Sequence, residues 1–369
     1  GEGGRKVCQN ALKQEESGEV FTASVQAFES GEESAVRDVI DVGCSSLELS
    51  LGVISALGWL PFHQAISYIE RFLVAESSSL RWIGIAAAAL HRQDPGPALV
   101  DALSDNDLLL RARALRAVGQ LGRRELLPQL RENLTNEDEK CRFCAAWSAT
   151  LLAEDAEAIR VLQAVAESNS PWREEAVQMA VRRMEPSAAN DWLDALAEKP
   201  ELARLAVIGS GVVGDVGAIP WLIKMMAAPA LARVAGEAFT MLTGVDLAYE
   251  DMESEWPEGF EAGPTEDPED ENVEMDADEN LPWPNAELIQ RWWEQHQGDY
   301  SRKQRYLLGE VIEEEWLWNV LRNGRQRQRA AAAIELAIKN PGQPLFEVRA
   351  PGFRQQQMLD EAYRNRQIG

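Results

Sequence analysis

Residues 109–122 read LLRARALRAVGQLG, and this stretch sets the architecture of the chain. Leu110, Ala114, Leu115, Val118 and Leu121 recur at helical spacing and make one apolar face, while Arg111, Arg113 and Arg116 fall on the other. Gly122 closes the pattern as a helix C-cap. Segments of the same kind return about every 30 residues, at Arg81–Leu90, Cys141–Leu152, Glu174–Met184, Leu202–Val213 and Leu231–Thr243. Shorter amphipathic pieces lie between them, at Ala98–Leu103, Leu126–Leu134, Ile159–Ala166, Trp192–Ala197 and Ile219–Met226. Self-similar two-helix units at a fixed period predict an all-α chain, a curved right-handed α-solenoid of roughly seven to nine helix pairs. Ala and Gly on the second helix of each pair let neighbouring helices approach closely.

Working outward, residues 1–75 read as irregular helix pairs that cap the stack, with Phe21–Glu29, Ala35–Val42, Leu47–Trp59 and Phe62–Val74 all periodic. Residues 76–244 hold the regular repeats. The stretch 245–284 changes character: it is acidic and Pro-rich, and composition alone gives loop or disorder. Tyr249, Trp256, Phe260 and Trp283 are spaced through it and could pin it to the helices, so it is expected to be an extended, partly ordered strap. Residues 285–369 return to helix. Asn285 caps Ala286–His296, Gln304–Ile312 is strand-like, and Glu313–Leu321 with Gln326–Lys339 makes a further pair. Pro344 and Pro351 bracket an extended tail over Leu345–Phe353.

The net charge is −25, and 246–287 holds 17 of the acidic residues with no Lys or Arg. Concentrated negative charge repels nucleic-acid phosphates and suits a basic partner. Four cysteines are too few for a disulfide framework in a chain of 369 residues, which fits a reducing cytoplasm. No apolar run reaches the length of a membrane span. The opening GEGGRKVCQ lacks Met, as expected of a chain whose native start lies upstream.

Each motif that could carry chemistry has a structural alternative. Cys141 and Cys144 have CxxC spacing, but no second ligand pair exists for a metal, and a position inside a repeat helix favours small core residues. His63, His91 and His296 are far apart, with no His-Glu dipeptide for a di-iron site. Gly209–Gly214 has the GxGxxG string, but it follows a helix and not a strand, which favours close packing and a turn. Asp267, Asp270 and Glu271 could attract Ca²⁺ but lack EF-hand spacing. Arg322, Arg325, Arg327 and Arg329 form a cluster expected to receive the acidic strap. Trp292, Trp293, Trp316 and Trp318 fit either a helical core or a binding hot spot.

The repeats resemble short HEAT-like repeats. The combination of GPTEDPEDENVEMDADENLPWP (263–284), RYLLGE (305–310), GRQRQRAAAAIELA (324–337) and LFEVRAPGFRQQQ (345–357) resembles a family of uncharacterised bacterial HEAT-like-repeat proteins often encoded in type VI secretion gene neighbourhoods. The resemblance implies a non-catalytic α-solenoid and brings no catalytic, cofactor or metal residues with it. Members usually carry a further N-terminal stretch.

These readings converge on a cytoplasmic protein-binding solenoid, not an enzyme, that needs no cofactor. The resemblance implies an immunity protein that neutralises a basic secretion effector encoded nearby, or alternatively an effector-loading adaptor or scaffold. A HEAT-repeat lyase is the enzyme alternative. No nucleic acid or membrane is expected as partner. The partner-binding residues expected are Trp256, Glu258, Glu266, Asp267, Glu269, Asp270, Glu271 and Trp283 on the strap, with Arg113 and Arg116 on the repeat helix.

Overall fold

A computed structural model describes residues 7–8, 10–263 and 275–368. Its first α-helices are α1 (Ser17–Ser30), α2 (Glu33–Gly43), α3 (Leu47–Trp59), α4 (Phe62–Leu73), α5 (Ser78–Leu90), α6 (Pro97–Ala102), α7 (Leu108–Gln120), α8 (Leu127–Glu132) and α9 (Glu139–Leu152). There follow α10 (Ala156–Glu167), α11 (Arg173–Arg183), α12 (Pro186–Ala197), α13 (Ala203–Val213), α14 (Ile219–Met225) and α15 (Pro229–Thr243). The last four are α16 (Ala286–His296), α17 (Glu314–Asn323), α18 (Gln326–Lys339) and α19 (Gly352–Ile368). The fold is an all-α solenoid of helix pairs. A single hairpin among the described residues, β1 (Tyr306–Leu307) and β2 (Glu310–Val311), falls within the strand-like stretch.

In the first of the repeats the same local chemistry starts one long helix after another, α3, α5, α7 and α9. Ser46, Ser77, Asp107 and Asp138 occupy N-caps, and their side chains accept first-turn backbone N–H groups that would otherwise be orphaned. Four residues after three of these caps comes an arginine that reaches back over the preceding turn. Arg81 donates to the carbonyls of Ala75 and Glu76, Arg111 to that of Asp105, and Arg142 to those of Asn136 and Glu137. The caps also tie one repeat to the next: Ser78 Oγ donates to Asp107 Oδ2, and Arg81 pairs with Asp105 at 2.7 Å.

Helix ends repeat as well. After α7, Gly122 takes φ +70°, with Gly122 N–H bonded to Gly119 O and Arg123 N–H to Val118 O. This is the paired-bond stop that needs a left-handed residue. One repeat earlier the same position is Arg92, at φ +55°, with the equivalent bonds from Arg92 to Ala89 O and from Gln93 to Ala88 O. A non-glycine residue holds this conformation only where its surroundings fix it.

The chain divides into two compact units, one of residues 1–158 with 321–369 and the other of 159–320. In the first, α3, α5, α7 and α9 stack in succession over a core that includes Val53, Leu57, Ile69, Phe72 and Ile83. Close approach is built in: a Cβ on Gly119 would lie 2.6 Å from Ser148 Oγ, which donates to Leu115 O. The C-terminal segment completes this unit. Helix α18 packs on α9, Leu345 N–H bonds to Gln120 O, and the Gln343 carbonyl sits where a Cβ on Gly122 would fall. The segment is not extended throughout 345–353, because α19 begins at Gly352.

In the second unit, α11, α13 and α15 stack, with Leu222, Phe239, Leu242 and Trp293 in the core. Gly211 lies against Ala238 of α15, 2.9 Å from where its Cβ would be, so the GxGxxG string is a helix-packing element. The hairpin seals the ends of α13 and α15 through Tyr306 N–H to Gly214 O and Leu308 N–H to Met241 O.

Candidate functional site

The acidic strap joins α15 to α16, and its two described ends are stitched together. Glu253 and Pro284 form an antiparallel bridge, Ser254 N–H bonds to Trp283 O, and Asn285 N–H to Met252 O. Leu247 and Met252 are buried in the unit's core. Trp256, Phe260 and Trp283 pack on one another with ring centroids 5.2–5.8 Å apart. Arg233 of α15 lies over two of these rings, 4.9 Å from Trp256 and 5.2 Å from Trp283. Of the four aromatics expected to pin the strap, Tyr249 does not, since it is 82% exposed.

Two repeat arginines hold the strap's return. Arg233 grips Asp276 through two bonds of 2.6 and 3.1 Å, and Arg204 of α13 grips Asp278 through two of 2.7 and 2.8 Å. Such forked pairs are among the stronger polar contacts. The Arg233 guanidinium holds the Asp276 carboxyl below its ordinary range against the opposing effect of burial. The Asp278 carboxylate raises the Arg204 guanidinium above its ordinary value. The C-terminal arginine cluster is therefore not the partner of these carboxylates. Arg322 pairs with Asp360, and Arg329 donates to Leu321 O and to Gln355. Arg204 and Arg233 are one repeat apart, and their sequence setting gave no sign of an acidic partner 74 and 43 residues downstream.

Glu266, Asp267, Glu269, Asp270 and Glu271 lie outside the described residues. Glu258 is exposed, Trp256 is 50% exposed and Trp283 half-buried. Glu250, Asp251, Glu253, Glu255 and Glu261 are exposed beside them, and no lysine or arginine occurs between 246 and 287. Arg113 and Arg116 belong to the other unit and are half-buried, not on a solvated face. Arg113 donates to Gln120 Oε1 at 2.5 Å, and burial with the nearby Arg116 pushes its guanidinium down to about 10. Arg116 lies flat on Trp147, 3.5 Å from the ring centroid.

The remaining motifs are structural in place. Cys141 and Cys144 are buried, and burial with Asp138 pushes the Cys141 thiol up to about 12, far from a reactive thiolate. His296 stacks on Trp292 at 4.2 Å. His91 is buried between Leu57 O, 2.8 Å from Nε2, and Arg354, 2.9 Å from Nδ1.

Residues 96–182 match the family model of HEAT repeats, which spans three successive pairs, α6–α7, α8–α9 and α10–α11. Over these residues the chain carries HEAT repeats. HEAT repeats commonly mediate protein–protein interaction, and proteins built on them are typically non-catalytic scaffolds. No curated protein matches the chain. Among the described residues no helix is long and apolar enough to cross a membrane.

Proposed function

We propose that the chain is a non-catalytic protein-binding scaffold whose strap receives a basic protein. One observation carries this reading: the strap is anchored by Asp276, Asp278 and the Trp256–Phe260–Trp283 cluster, while Glu250, Asp251, Glu253, Glu255, Glu258 and Glu261 stay exposed. Anchoring lowers the entropy lost on binding, and a field of one sign steers a basic partner into contact. The same field disfavours nucleic acid. Trp256, half-exposed among these carboxylates, is the aromatic contact.

The resemblance of the strap and C-terminal segments to secretion-associated proteins makes the partner a type VI effector encoded nearby. The chain would act on it in the cytoplasm as its immunity protein. Co-expression with each neighbouring gene product, followed by size-exclusion chromatography and a toxicity-rescue assay, tests this. A stable complex with rescue is expected. A strap variant carrying Glu250→Lys, Glu253→Lys, Glu255→Lys and Glu258→Lys should lose both. A complex without rescue would make the chain a loading adaptor, and no complex with any neighbour would sink the secretion reading.

A further inference from the structure

The N-terminal helix pairs contain a cleft of about 340 Å³ between α2 and α4 that nothing in the strap reading uses. Val36 and Phe72 form its buried floor, flanked by half-buried Ile40, Tyr68 and Leu80. The rim is charged. Helix α2 presents Glu33, Arg37 and Asp41 at successive four-residue steps, and α4 presents Arg71 from the facing side. All four are exposed, and none makes an ion pair or a side-chain hydrogen bond among the described residues. Elsewhere in the same unit Arg81 pairs with Asp105, Arg131 with Asp155 and Arg92 with Glu347.

We infer that this cleft docks an amphipathic helix of a protein partner. The helix inserts one large apolar side chain between α2 and α4 and sets a plus–minus–plus row against Glu33, Arg37 and Asp41. Residues four apart on a helix face one another along one side, about 6 Å per step, so a second helix laid along α2 meets the row in register. The cleft's size is in the range that accepts a compact apolar group. The charge order also selects against a second copy of the chain. Antiparallel α2 helices would set Glu33 against Asp41 and Arg37 against Arg37, like against like. This is the helix-in-groove mode of recognition, with the apolar anchor supplying affinity and the charge row supplying register. The inference is independent of the strap, which lies in the other unit.

The test uses the full chain and two fluorescein-labelled, alanine-based helical peptides of about 18 residues, long enough to hold helix in water. Both carry one phenylalanine anchor. One has Lys–x3–Glu–x3–Lys beside it and the other the inverted Glu–x3–Lys–x3–Glu. Fluorescence anisotropy at low salt should show the first binding at least about tenfold tighter than the second, as expected when like charges replace opposite ones. Arg37→Glu, exposed and safe for the fold, should weaken the first peptide. The quadruple strap variant should leave its binding unchanged. Equal affinity for the two peptides, no binding of the first, or indifference to Arg37→Glu would overturn the proposal. So would a dimer in sedimentation that Arg37→Glu dissolves, since the occupant would then be a second copy.

Discussion

Arg354 donates from Nη1 to Nδ1 of His91 at 2.9 Å, joining residues 263 positions apart. The bond fixes the tautomer. Nδ1 must accept, so the ring proton sits on Nε2 and goes to the Leu57 carbonyl at 2.8 Å. A neutral histidine thus links the ends of α3 and α5 to the start of α19.

Burial, with Arg354 beside it, lowers the His91 pKa from its ordinary value near 6.5 to about 4, overcoming the opposite pull of the Leu57 carbonyl. As pH falls, the unfolded chain takes up this proton first. The contribution is therefore whole above pH 6.5 and is lost progressively between 6.5 and 4, to a total of about 3 kcal/mol. Urea unfolding across this window should show stability falling with pH, and His91→Asn should flatten the slope. Parallel curves for the two proteins would refute the assignment.

Arg92 and Glu347 form a buried ion pair at 3.0 Å, with side chains 8% and 6% exposed. Arg92 also donates to Leu345 O. Removing the carboxylate by Glu347→Ala leaves a buried cation without its partner, and a loss of about 3–5 kcal/mol is expected. Arg92→Met with Glu347→Leu should recover most of it. Denaturant titration of the single and double variants decides, and a double variant as weak as the single one would count against the ion pair as the cause.

At Gly122 an alanine Cβ would sit 2.7 Å from the Gln343 carbonyl, on a residue at φ +70°. Backbone strain and the contact together should cost about 2–3 kcal/mol in Gly122→Ala. The measurable sign is a lowered thermal midpoint accompanied by faster amide exchange at Leu345, whose N–H bonds to Gln120 O.

In the other unit, Asp276→Asn with Asp278→Asn removes both forked pairs from Arg233 and Arg204. Amide exchange at Ser254 and Asn285, which stitch the neck, should quicken while α13 and α15 stay protected. Unchanged exchange at the neck would mean that the aromatic cluster alone anchors it.

Thiol titration gives a further check. Cys141 and Cys144 are buried and the Cys141 thiol is pushed up to about 12, so neither should react with an aromatic disulfide until the chain unfolds. Cys8 and Cys44 are only half-buried and should react first, Cys44 more slowly because burial raises its thiol too.

The repeat helices were legible because their causes are local. A Ser or Asp cap, an arginine four residues on and an apolar stripe recur at Ser77, Asp107 and Asp138, and each lies within one window of sequence. The grip of Arg204 and Arg233 on the strap was not legible. Nothing local separates Arg204 from Arg173, which donates to the nearby Ala166 carbonyl, until the downstream acids are in place. Helix α19 was missed because its residues Gly352–Ile368 are polar and show little apolar periodicity. The burial of Arg113 and Arg116 was missed because a helix in a stack has neighbours on more than one side, and long cationic side chains can lie along them.

The left-handed Arg92 has a consequence for the order in which the chain is made. Its side chain finds Leu345 O and Glu347 only after the whole of 159–320 has been synthesised. Until then the emerging N-terminal pairs carry a buried-type cation with no counterion and a backbone stop that glycine would have held more cheaply. Translation thus runs ahead of completion, and this unit stays provisional until residues 321–369 leave the ribosome. A polypeptide stalled before residue 321 would be betrayed within residues 1–158, where quality-control proteases would find helices that residues 321–369 otherwise keep closed.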